Sequence, residues 1–193
     1  MELRDNQLYQ NLVFKNTSFT DEVLKNAEFE SCTFESCDFT STVFHSCSFV
    51  SCSFEQSNLA MVKLTNSKLN AATFSDCKLL GINFSDCADF LFEVAFESCV
   101  LNYSTFTRKK MGKTPFLNTF LKGVDFTEAD LNNARFVNSD LHEAIFHRTN
   151  LKEADLVSAT NYSLDPDLNQ VKKMKLSAEG AMRLLDKYDL NIK

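Results

Sequence analysis

Cys32-Thr33-Phe34-Glu35-Ser36-Cys37-Asp38-Phe39-Thr40-Ser41-Thr42-Val43-Phe44-His45-Ser46-Cys47-Ser48-Phe49-Val50-Ser51-Cys52-Ser53-Phe54 is the stretch that decides the fold of this chain. Phenylalanine returns every fifth residue, and the residue two before it is small. The spacing runs back through Phe29, Leu24, Phe19 and Phe14 to Tyr9, and forward through Leu59, Leu64, Leu69, Phe74 and Leu79 to Phe84. Two steps of six pass through Phe90 to Phe96, and the step of five resumes from Leu101 to Leu156. Thirty centres result, none of them polar. Five residues rotate about 140° past one turn of an α-helix, so the centres cannot share a helical face. The spacing also breaks the alternation of a flat strand. It fits a chain that turns a corner every five residues and buries the centre and the small residue.

Composition narrows the function classes. The 193 residues include 19 Phe, no Trp, 4 Gly, 2 Pro and 7 Cys, which excludes collagenous, proline-rich and disordered chains. The net charge of −6 argues against a protein that grips nucleic-acid phosphates through a positive field, so no direct nucleic-acid partner is expected. Neither a leader pattern nor a run of about 20 apolar residues occurs, so no membrane association and a cytoplasmic location are expected. In that reducing setting the cysteines serve as small buried hydrophobes. Their repeated C-x4-C spacing is not that of a zinc site. His45, His142 and His147 fall on outward positions, and no phosphate loop, nucleophile elbow or metal motif is present. No catalytic residue, cofactor or metal is expected, and the chain reads as a non-enzyme.

Ala129-Asp130-Leu131-Asn132-Asn133, Ala134-Arg135-Phe136, Ser139-Asp140-Leu141 and Ala154-Asp155-Leu156 resemble the pentapeptide-repeat family pattern of a small residue, Asp or Asn, Leu or Phe, then two polar residues. The resemblance implies an all-β right-handed quadrilateral β-helix with four repeats per coil, about 7.5 coils and roughly 36 Å of shaft. Residues twenty apart then stack, with Phe14, Phe34, Phe54, Phe74, Phe96, Phe116 and Phe136 as a phenylalanine ladder. The shaft is expected over 1–157, with corner bulges at 85–95. At 108–113 a basic irregularity (Arg108, Lys109, Lys110, Lys113) is expected to pouch outward as a loop available to a partner.

Of the 26 acids and 20 bases, five and six lie in 158–193, which leaves 21 and 14 in 1–157. Glu35, Glu55, Asp76 and Glu97 fall on four successive coils of one face, predicting a line of carboxylates about 5 Å apart. A solvated, solubilising surface is the bland account of that line. Beyond it, 158–193 reads as a helical capping module. Asp165-Pro166-Asp167 is expected to open a first helix and Ser177 to cap a second from Ala178 to about Tyr188.

This end resembles the C-terminal module of quinolone-resistance (Qnr) and microcin-immunity pentapeptide proteins. The resemblance implies a homodimer through Met174, Leu176, Ala181, Met182, Leu185, Tyr188, Leu190 and Ile192. It also implies a DNA mimic that binds DNA gyrase or topoisomerase IV and affects the response to quinolone-like poisons. The alternative is a structural or scaffolding repeat protein with a different protein partner.

Overall fold

The computed structural model describes residues 2–188 and 190–191. Each five-residue side places its centre inside and the neighbours on either hand outside, giving strands of three or four residues such as Val13–Lys15 and Ser53–Glu55. The corner falls two residues after the centre, where φ lies near +50° to +60° at Asn11, Asn16, Asn26, Ser36, Ser51 and most later equivalents. This left-handed conformation is unfavourable for most residues, and short polar side chains tolerate it best after glycine. A hydrogen bond to the next coil offsets it: the Asn16 amide donates to the Glu35 carbonyl at 3.0 Å and the Ser36 amide to the Glu55 carbonyl at 2.9 Å. A protein with four glycines thus turns corner after corner.

The coils stack in parallel. On one wall Phe14, Phe34, Phe54, Phe74, Phe96, Phe116 and Phe136 pair in register. Their rings stack at 4.7–5.4 Å with interplanar angles of 2–16°. The walls centred on Tyr9, Phe19 and Leu24 complete the four-sided β-solenoid around one continuous lumen. The expected ladder is therefore present. On the Phe14 wall seven strands lie on seven successive coils, and the bridges Arg135–Asp155 and Asp155–Lys175 carry the wall two coils further.

The hydrogen-bonded ladder thus continues beyond residue 157. The first expected helix is absent, because the Asp165 carboxylate accepts from the Asp167 amide at 2.9 Å. That is the same turn the solenoid makes at Asp38, Asp125, Asp130 and Asp155. The second helix forms over Ala178–Arg183, with Ser177 Oγ accepting from the Gly180 amide at 3.0 Å, and a 3-10 turn follows at Asp186–Tyr188.

Two expectations at mid-shaft are corrected. Phe90 is not a lumen centre: it is 72% exposed, and Phe92 is the buried ring. The two extra residues leave the ladder in one excursion around Asp89-Phe90-Leu91, and pairing resumes with Ala72 opposite Val94. The stretch 108–113 does not pouch outward either. Lys110 bridges Asp130, the Met111 amide donates to the Asp130 carbonyl at 2.7 Å, and Lys109 points inward at 1% exposure. Lys109 Nζ donates to the Cys87 carbonyl and to Asp89 Oδ1 at 2.7 Å, and lies 5.1 Å from the centre of the Phe92 ring. A long stem with a charged tip fits this slot because the excursion opens the wall there.

The small inward slot has a second requirement that the sequence pattern does not state. Its side chain usually donates to the carbonyl of a centre on the preceding coil. Cys32 Sγ donates to Tyr9 at 3.4 Å, Thr42 Oγ1 to Phe19 at 2.7 Å, Ser57 Oγ to Phe34 at 3.1 Å and Ser139 Oγ to Phe116 at 3.1 Å. All seven cysteines are free and buried. Burial pushes the Cys52 and Cys87 thiols up to about 12, so they stay protonated and able to donate.

Candidate partner-binding surface

The Phe14 wall carries the acidic residues. Glu35 and Glu55 are direct partners in the ladder, Ser75 follows, and Glu97 pairs with Ser75. Asp76 belongs to the adjoining corner, where its amide donates to the Glu97 carbonyl at 3.0 Å. The four carboxylates therefore occupy four successive coils, with three in one column and the fourth displaced to its edge. Lys15 closes the N-terminal end of the column at 2.6 Å from Glu35, and the hydrogen bond to Glu35 holds the Lys15 ammonium above its usual range. Both groups are exposed, so this pair adds little stability. Ladder pairing fixes the spacing of these charges, since no side chain can shift along the shaft without its whole coil.

The basic residues do not form a surface of their own. Arg108 is bound to Glu128 at 2.8 Å, which raises the guanidinium and lowers the Glu128 carboxyl. Lys109 is internal, and Lys110 and Lys113 remain exposed on separate positions of one coil.

At the C-terminal end the expected contact residues divide. Met174 and Leu176 are partly buried and packed against the core. Ala181, Met182, Leu185, Tyr188 and Leu190 are exposed, and Ile192 lies outside the described residues. Lys187 ties this end to the solenoid by bonding Asp165 and Asp167, which depresses the Asp165 carboxyl. Gly180 sits against Tyr162, where a Cβ would fall 1.7 Å from the hydroxyl, so no larger residue fits there.

One surface escaped the sequence reading. On the Phe19 wall Met61, Leu80, Tyr103 and Phe120 are exposed together, with Val100 partly exposed among them. The signal lay in positions that are polar elsewhere in the repeat. Among the described residues no three metal-ligating side chains come together, and no helix is long and apolar enough to cross a membrane.

The Pentapeptide repeat region family matches residues 27–90, and the family of Pentapeptide repeats, in eight copies, matches 121–156. The chain belongs to the pentapeptide-repeat proteins. Together the two matches take in about half of this pentapeptide-repeat chain, the first ending within the mid-shaft excursion and the second lying beyond it. No curated protein matches it in sequence. Among solved structures it is similar to a trypsin-treated variant of QnrB1, a plasmid-mediated fluoroquinolone resistance protein. The TM-score is 0.65 at 16% identity, covering 97% of this chain and 100% of that one. Full-length QnrB1 gives a TM-score of 0.61 at 17% identity, covering 95% and 100%. At such identities the likeness is one of fold.

Proposed function

We propose that this pentapeptide-repeat protein is a non-enzymatic mimic of duplex DNA. It binds a type II topoisomerase, DNA gyrase or topoisomerase IV, and protects it from quinolone-like poisons or modulates its response to them. The observation that carries this is the column of carboxylates at Glu35, Glu55 and Glu97, with Asp76 beside it, on a rod whose ladder fixes their spacing. Duplex DNA likewise presents anions at fixed intervals along an axis, and a saddle built for it attracts any rigid rod so charged. Likeness to QnrB1 over its whole length supports the same reading. The exposed Ala181, Met182, Leu185, Tyr188 and Leu190 would join two rods tail to tail, and such a partner places the protein in the cytoplasm.

A supercoiling assay with and without a quinolone tests the proposal. The protein is expected to bind the topoisomerase and to change its drug response. No binding and no effect at micromolar protein refutes it. Reversing Glu35, Glu55, Asp76 and Glu97 to Lys should abolish binding while circular dichroism stays unchanged; persistence of binding removes that wall from the contact. Leu185→Asp should halve the mass seen by light scattering if the C-terminal end joins the dimer. A second reading, a scaffold for another protein, is favoured by the apolar exterior of the Phe19 wall, which has no counterpart on DNA.

A further inference from the structure

The exterior column of the Phe19 wall runs Asp38, Asn58, Lys78, Val100, Phe120, Asp140, Thr160, each bridged to the next. Its centre is self-complementary when read in opposite directions. About a two-fold axis crossing between Val100 and Phe120, Lys78 faces Asp140, Val100 faces Phe120, and the same pairs recur on the other side. Across the intervening column of Leu80, Asn102, Lys122 and His142, the corner column is consistent with that axis. A Cβ on Gly123 would lie 2.8 Å from the Tyr103 ring, so the ring is folded over Gly123 and occupies the level between these two coils. Two Tyr103 rings then meet on the axis. Tyr103 and Phe120 are 58% and 56% exposed, the kind of aromatic surface that drives association.

We propose that the Phe19 wall pairs antiparallel with the same wall of a second copy, through Lys78, Val100, Tyr103, Phe120 and Asp140. The chosen occupant is a second copy because Lys78 with Asp140 and Val100 with Phe120 match under one axis, as a closed isologous contact requires. Six rungs at ~4.8 Å make a strip about 25 Å long and one wall wide, well under the roughly 800 Å² per partner of a standard interface. The pairing is therefore weak and concentration-dependent. It is separate from the C-terminal end and does not depend on the topoisomerase reading, since the acidic column lies on a different wall.

The test is sedimentation velocity of the full chain from about 5 µM to about 0.5 mM. A doubling of mass over that range is expected. Lys78→Glu, which sets Glu against Asp140, should weaken the doubling at least about tenfold, and Lys78→Glu with Asp140→Lys should restore it. Because Asp140 also accepts from the His142 amide and from Asn161, a second measurement guards against misfolding of the double variant. Tyr103→Cys, on the axis, should form a disulfide-linked dimer under air oxidation, whereas Met61→Cys, two coils away, should not. A mass that never rises, a doubling indifferent to Lys78→Glu, or equal cross-linking at both positions overturns the proposal.

Discussion

Phe116 and Phe120 stand four residues apart in one coil, on neighbouring walls, and share nothing but their identity. Phe116 is fully buried, stacked on Phe96 and Phe136 at 5.4 and 4.9 Å and edge-on to Phe106 and Phe126. Phe120 faces outward. The Phe14 and Phe19 walls have the same backbone and the same kind of interior, yet one wears carboxylates and the other an apolar strip. In a pentapeptide repeat the inner positions are dictated by the coil, whereas the outer ones are left free for partners.

That contrast can be broken in order of effect. Phe116→Ala should cost about 3–5 kcal/mol in denaturant unfolding, because coils fixed by their ladders cannot collapse into the hole. Lys109→Met should cost about 1–3 kcal/mol, since the buried Cys87 carbonyl loses its donor. It should also speed chymotryptic cleavage at Phe90 by loosening the excursion that Lys109 holds. Phe120→Ser should change stability by less than about 0.5 kcal/mol, as exposed positions do. Glu55→Gln should raise the unfolding midpoint slightly, by a few tenths of a kcal/mol at most, because it relieves repulsion from Glu35 directly opposite. If Phe120→Ser proved as damaging as Phe116→Ala, the division between inner and outer positions would be wrong.

The five-residue period was enough to place the lumen, because a single inner position repeated thirty times leaves no competing register. It failed where two residues of one type competed. Phe90 and Phe92 are equally apolar, and only the excursion's geometry decides which turns in. Lys109 was misplaced because a lysine in an inward slot looks like an error in the pattern, when its tip finds Cys87 and Asp89 beneath the bulge. Asp165-Pro166 looked like a helix start since an aspartate capping a helix and one closing a corner accept the same kind of bond. The acidic column was legible to within one position. Asp76 missed it because five-residue spacing fixes centres but not which outer neighbour carries the charge. The apolar strip on the Phe19 wall was not legible at all, being a departure from the repeat rather than an instance of it.

The excursion at Asp89-Phe90-Leu91 has a bearing on how such a chain can change its length. A residue gained within a ladder strand has to leave the count locally, or it displaces the inner side chains that follow from the coil below. Here two residues lie outside the count, and the ladder closes around them with Ala72 opposite Val94. The shaft thus absorbs a change of length here by looping residues out at the wall, at the cost only of the local contacts that Lys109 makes beneath them.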